Sequence, residues 1–250
     1  MERNIKIRKF LLILLSIILF FNLFGVNIFS KYRLTLAGAL VIYWLIFKFF
    51  IKDEEVEKNN NNNNKYITIW AIVFGIIFLL IWYGMGMFYN INISAGFYIN
   101  PIKYLPNAMT NRIIPHILIV IFSELLRTIV CRRKDKSQVI WLTIVLILVD
   151  LVININIYSY SSLGGIAEII GCLLIPSICS NLLFNYIAKR SGSIFNILFR
   201  FITVIIYNYF LPILPDVYPI FEALFELVYP YVVYMIIDYV FSLDNQEIVI

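Results

Sequence analysis

The chain has 250 residues, of which 62% are apolar and 14% charged, with a mean hydropathy of +0.87. That balance leaves too little polar surface to cover a water-soluble globule of this size. The formal charge of +5 does not point to nucleic acid, because the basic residues flank apolar runs and form no stripe interleaved with aromatics.

Eight apolar stretches follow one another along the chain: Phe10 to Phe29, Leu34 to Ile51, Ile67 to Met87, Ile113 to Cys131, Val139 to Ile157, Gly164 to Ile187, Ile194 to Leu214 and Pro219 to Phe241. Each approaches the roughly 20 residues with which a helix crosses about 30 Å of hydrocarbon, and none alternates as a barrel strand would. The expected fold class is all-α, a polytopic helical membrane protein of about eight transmembrane helices. The first stretch follows Arg3, Lys6, Arg8 and Lys9. It is too long for a secretion signal and has no small-residue cleavage site, so it reads as a retained anchor.

Short loops rich in Lys and Arg stay cytoplasmic. Threading eight spans from an inside N-terminus leaves 13 basic residues in inner segments and 4 in outer ones, namely Lys31, Arg33, Lys103 and Arg112. Both termini are therefore expected inside the cell membrane, with the lipid bilayer as principal partner and no nucleic acid.

Between the second and third spans, Asp53, Glu54, Glu55 and Glu57 lead into an asparagine run from Asn59 to Asn64. Such a segment has nothing to bury, so residues 53–65 read as a disordered linker between a two-span hairpin, 1–52, and a six-span domain, 66–250. The outer segment Phe88 to Arg112 carries Pro101, Pro106, Tyr89, Phe97, Tyr98 and Tyr104 and is expected to lie against lipid headgroups. Cys131, Cys172 and Cys179 lack C-x-x-C spacing and read as small buried apolar residues. His116 is the only histidine, so no metal site is expected. No phosphate loop, dinucleotide fingerprint or nucleophile elbow occurs, and neither a cofactor nor a catalytic residue is assigned.

An ionisable side chain within a span costs at least about 2.5 to 3.5 kcal/mol on insertion scales, which makes each one a candidate. Glu124 and Arg127, three apart on one helix face, are expected to neutralise each other, with the arginine snorkelling inward, in preference to forming a substrate site. Asp150, Glu168, Glu222 and Glu226 map to one depth. They fit a cation or proton site, contact with a positively charged peptide, or interhelical hydrogen bonding by protonated acids. Arg200 and Asp238 are placed to pair across the last two helices. Gly164, Gly165, Ala167 and Gly171 slim the sixth helix for close packing. Pro176, Pro212, Pro215, Pro219 and Pro230 break or kink the last three spans, so that end is the expected place for a site.

The segment Ala188-Lys-Arg-Ser-Gly-Ser-Ile-Phe-Asn-Ile-Leu-Phe-Arg200, with Tyr209-Phe-Leu-Pro-Ile-Leu-Pro-Asp216, Phe225-Glu-Leu-Val-Tyr-Pro-Tyr231 and Ser123-Glu-Leu-Leu-Arg127, resembles the membrane region of atypical signal peptidase I-like proteins of Firmicutes. In that group a multi-spanning region precedes a serine peptidase domain whose nucleophile lies in a Ser-Met pair. This chain contains no Ser-Met dipeptide, so no catalytic residue carries over. The resemblance implies a non-catalytic scaffold or targeting module tied to signal-peptide processing, partnered by a signal peptidase catalytic domain or another membrane protein. The competing expectation is a small cation- or proton-coupled transporter or channel using the intramembrane carboxylates.

Overall fold

The structure is a computed structural model that describes residues 9–17, 32–49, 64–93, 96–100, 109–132, 136–154 and 163–247. Its helices are α1 (residues 9–17), α2 (Tyr32–Phe49), α3 (Asn64–Ile93), α4 (Met109–Cys131), α5 (Lys136–Asn154), α6 (Leu163–Ser191), α7 (Ile194–Phe210) and α8 (Pro219–Glu247). A helix is present in every apolar stretch read from the sequence. Five of them, α3, α4, α5, α6 and α8, are long and apolar enough to cross a membrane. Helix α3 already begins at Asn64, the last residue of the asparagine run; the rest of that run and of the acidic linker lies outside the described residues.

Burial sorts the helices by position. The apolar window of α4 is 56% buried within the protein, against 28% for α3 and 22% for α8. Helix α4 is therefore the central post, packed on α2, α5, α6 and α7, while α3 and α8 turn most of their apolar side chains outward, as lipid-facing helices do. One core joins α1, α2, α4 and α5 through Leu12, Leu15, Leu40, Phe47, Leu126 and Leu146. A second joins α3, α6, α7 and α8 through Phe74, Phe184, Phe195, Phe199, Tyr229 and Val233.

Proline shapes several helix ends. Pro115 and Pro176 each follow a π-helical stretch, Met109–Ile113 and Ile169–Leu174. A proline has no N–H and its ring crowds the carbonyl four residues back, and a wider turn accommodates both. The second half of α7, Phe201–Phe210, is also π-helical and closes with Leu211 N–H on the Ile206 carbonyl at 3.0 Å. It stops where Pro212 withholds the next donor. Pro230, expected to break or kink its span, lies inside an α8 that runs unbroken from Pro219 to Glu247, which an apolar setting tolerates when neighbouring groups satisfy the freed carbonyl.

One expectation needs correction at this end of the bundle. Helix α3 continues to Ile93, and Phe97–Ile99 forms β1. Its antiparallel partner β2, Ile213–Pro215, comes from the end of the seventh predicted span, which leaves the helix after Phe210. The ribbon is anchored by Asn100, whose side-chain amide donates to the carbonyls of Asn208 at 2.7 Å and Leu211 at 3.2 Å. It is also held by the Tyr83 hydroxyl, which donates to the Ile213 carbonyl. Tyr104, Pro101 and Pro106 lie outside the described residues.

A Cβ at Gly86 would collide with the Pro215 ring, whereas one at Gly38 would meet nothing within 4 Å. Gly86→Ala should therefore destabilise the protein by about 1–3 kcal/mol through overpacking. Gly38→Ala should be neutral or mildly stabilising, since alanine is the better helix former. Thermal melting of both variants in detergent checks the contrast.

Candidate functional site

Four helices bring their polar residues to one place. Helix α4 supplies Ser123, Glu124 and Arg127; α5 supplies Thr143 and Asp150; α6 supplies Ser177, Asn181 and Asn185; α7 supplies Asn196 and Arg200. Ser123, Glu124, Arg127, Asn181 and Asn196 are fully buried, and Arg200 is 6% exposed. Two acids face two guanidinium groups, so the formal charge of the cluster is zero.

The Glu124–Arg127 pair has the geometry its spacing suggests, with Nε on Oε2 at 2.8 Å and Nη2 on Oε1 at 3.3 Å. The arginine does not snorkel. Its remaining N–H groups reach across to α6, Nη1 to the Asn181 carbonyl at 3.1 Å and to Asn185 Oδ1 at 2.6 Å, and Nη2 to Asn181 Oδ1 at 2.6 Å. All five donors of the fork are thereby engaged, the condition under which a buried guanidinium is tolerated.

Arg200 does not pair with Asp238. It donates through Nη1 to Glu124 Oε1 at 2.8 Å and to Ser123 Oγ at 3.2 Å, and through Nη2 to Asp150 Oδ1 at 2.8 Å. Asp238 instead meets Arg190 at 3.4 Å and the Tyr186 hydroxyl, on the half-exposed seam between α6 and α8. Burial decides between the two partners, because a guanidinium enclosed by α4, α5 and α6 is stabilised far more by buried carboxylates than by one at the rim.

Two asparagines tie the charges together. Asn181 accepts from Arg127 through its oxygen and donates through Nδ2 to Asp150 Oδ2 at 2.9 Å, where Ser177 Oγ also donates at 3.1 Å. Asn196 donates to Glu124 Oε2 and to the Phe184 carbonyl, both at 2.9 Å. The Phe184 ring lies 5.5 Å from the Arg127 guanidinium carbon and 5.7 Å from that of Arg200, a cation–π contact with each. Sequence reasoning singled out none of these three residues. Ser177, Asn181 and Asn185, four apart on one face of an apolar helix, carried a usable signal.

Above this core a second polar chain crosses three helices. Arg33 on α2 donates to the Tyr209 hydroxyl on α7 at 3.0 Å, and that hydroxyl meets His116 Nδ1 on α4 at 2.7 Å. Arg33 also caps α5 by donating to the Ile153 carbonyl at 3.0 Å. His116 is thus a buried hydrogen-bonding residue. Cys131 and Cys172 are buried and Cys179 is half-buried.

The carboxylates read at one depth divide. Asp150 belongs to the polar core. Glu168 lies on α6, and Glu222 and Glu226 lie on α8, which packs against it. Gly171 of α6 faces Ala223 of α8, and a Cβ at 171 would stand in ordinary contact with it, 3.9 Å from the Ala223 Cβ. Asp216, exposed at the end of β2, donates its N–H to the Gly96 carbonyl. Burial holds the neighbouring Tyr98 hydroxyl above its usual pKa, and the negative charges of Asp216 and Glu222 add to the effect. Among the described residues no group of three or more His, Cys, Asp or Glu is arranged to hold a metal ion.

Length, apolarity and the enclosed polar core define a multi-pass helical membrane protein. No protein-family model, curated protein or solved structure matches the chain.

Proposed function

We propose that the chain is an integral membrane scaffold or targeting module, non-catalytic by itself. The observation that carries this reading is the polar core: its charges balance, its acids are engaged by guanidinium and amide donors, and it joins four helices where a transport site would need a vacancy. The segments that carry the signal peptidase-like resemblance contribute Ser123, Glu124, Arg127, Asn196 and Arg200 to this core. That coincidence supports the link to signal-peptide processing. If the link holds, removing the protein from its cell should slow signal-peptide cleavage of exported precursors in a pulse-chase experiment. Unchanged processing would sever it.

The proposed topology has eight spans, both termini inside and residence in the cell membrane. Two contacts support it. The ribbon joins the α3–α4 and α7–α8 connections, both assigned outside, and Gly192 of the α6–α7 turn lies beside Arg132 after α4, both assigned inside. Reporter fusions at Asn61, Tyr98, Lys134, Ser191 and Ile250 should read inside, outside, inside, inside and inside. An outside signal at Ile250 would remove the topology.

A second reading, a small cation- or proton-coupled transporter, draws on Glu168, Glu222 and Glu226, which meet no basic side chain among the described residues. Reconstituted vesicles distinguish the two. The scaffold reading expects no cation- or proton-dependent flux, and equal behaviour of the Glu168→Gln, Glu222→Gln and Glu226→Gln variants. A robust flux abolished by these amides would establish the transporter.

A further inference from the structure

Helices α5 and α6 run side by side and antiparallel, held by two amide bonds. Asn181 Nδ2 donates to Asp150 and, one turn along α6, Asn185 Nδ2 donates to Thr143 Oγ1 at 2.7 Å. From the second bond both helices continue to the same end of the bundle, where α6 finishes and α5 begins. Lys189 stands one turn beyond Asn185 and Lys136 two turns beyond Thr143, about 6 Å and 10 Å along the axes. Packed helices lie about 8–10 Å apart, a gap that two flexible four-carbon stems can close around one anion. Both lysines are exposed, and among the described residues neither makes an ion pair.

Each lysine ends an apolar stripe. Ile178, Leu182, Asn185 and Lys189 share one face of α6, and Lys136, Ile140 and Ile144 share one face of α5. Ile140, Ile144, Ile178 and Leu182 are all exposed, on the side away from Leu142, Leu146 and Phe184, which enter the cores. Exposed apolar stripes on membrane helices face lipid, and a lysine at their edge sits at headgroup level. The surrounding charge has mostly the same sign. The connection Arg132 to Lys136 holds four basic residues against Asp135, and Arg133, Lys134 and Asp135 lie outside the described residues. Asp238 is held by Arg190. Asp244 and Glu247 end α8, which packs on α6 through Tyr186 and Arg190, the flank away from α5. Asp53, Glu54, Glu55 and Glu57 of the α2–α3 connection lie outside the described residues. We infer that the seam between α5 and α6 binds an anionic phospholipid, its phosphate bridging Lys136 and Lys189 and an acyl chain lying along Ile140, Ile144, Ile178 and Leu182.

The inference does not depend on the proposed function. The full chain, purified in mild detergent, would be given an equimolar mixture of phosphatidylglycerol and phosphatidylcholine, and bound lipid counted by native mass spectrometry. A lysine beside an anionic headgroup contributes about fivefold in binding. Phosphatidylglycerol should therefore be favoured, and Lys136→Gln and Lys189→Gln should each cut the preference about fivefold. The Lys136→Arg, Lys189→Arg double variant should keep it. So should Lys9→Gln with Lys48→Gln, which removes equal charge from α1 and α2. An equal loss in that last variant would show diffuse attraction to basic residues at large and would overturn the inference. Indifference to headgroup would overturn it as well. So would displacement of the lipid by excess glycerol 3-phosphate, which carries the phosphate without the chains.

Discussion

Glu124→Ala should give the largest loss of folded protein of any single replacement in the polar core, about 3–5 kcal/mol. The carboxylate accepts from Arg127, Arg200 and Asn196, so its removal leaves two buried guanidinium groups facing Asp150 alone. Arg127→Ala should be the milder single change, since Glu124 keeps Arg200. Replacing Glu124 and Arg127 together by leucine restores neutrality and should be better tolerated than Glu124→Ala, as apolar replacement of buried ion pairs often is. The check is the folded, monodisperse yield of each variant by fluorescence-detected size exclusion, followed by melting. A double variant as poor as Glu124→Ala would mean that the pair is solvated or acts elsewhere.

Asn181→Leu ranks next. A neutral hydrogen bond between membrane helices contributes only about 0.6 kcal/mol on average, and Thr143→Val, which removes one such bond to Asn185, should cost about that. Asn181 is different because both its amide ends meet charged groups, Arg127 and Asp150. Bonds to charges are worth about 1.5–3 kcal/mol each, and leucine would leave both ions short of a partner. The expected cost is about 2–4 kcal/mol, several times that of Thr143→Val, measurable as the difference between the two melting shifts. Equal shifts would show that Asn181 does not bridge the two ion pairs.

Apolar length is a local property, so the helices could be read directly from the sequence, and so could the Glu124–Arg127 pair, whose spacing of three fixes its geometry. The partners of Arg200 could not. Choosing between Asp238 and the pair Glu124 and Asp150 depends on which faces of four helices meet, and hydropathy does not encode rotation about a helix axis. Asn181, Asn185 and Asn196 are not legible as site residues, because single amides in apolar runs look incidental until a charge stands opposite them. The ribbon was illegible for another reason. Phe97–Ile99 and Ile213–Pro215 are three residues each, too short for an alternation to register, and their pairing joins segments more than a hundred residues apart.

The fastening of α4 to α7 by a buried ionic core is tested most directly by a double-mutant cycle on Glu124 and Arg200. Glu124→Gln, Arg200→Gln and the double variant preserve much of the side-chain bulk while removing one or both charges. Measured by reversible unfolding in mixed micelles, each single change should destabilise the protein. The double should recover part of the loss, giving a coupling energy of about 1–3 kcal/mol, the upper range for contacting groups. Strict additivity, with no coupling beyond about 0.5 kcal/mol, would contradict the pairing and, with it, the scaffold built around the core.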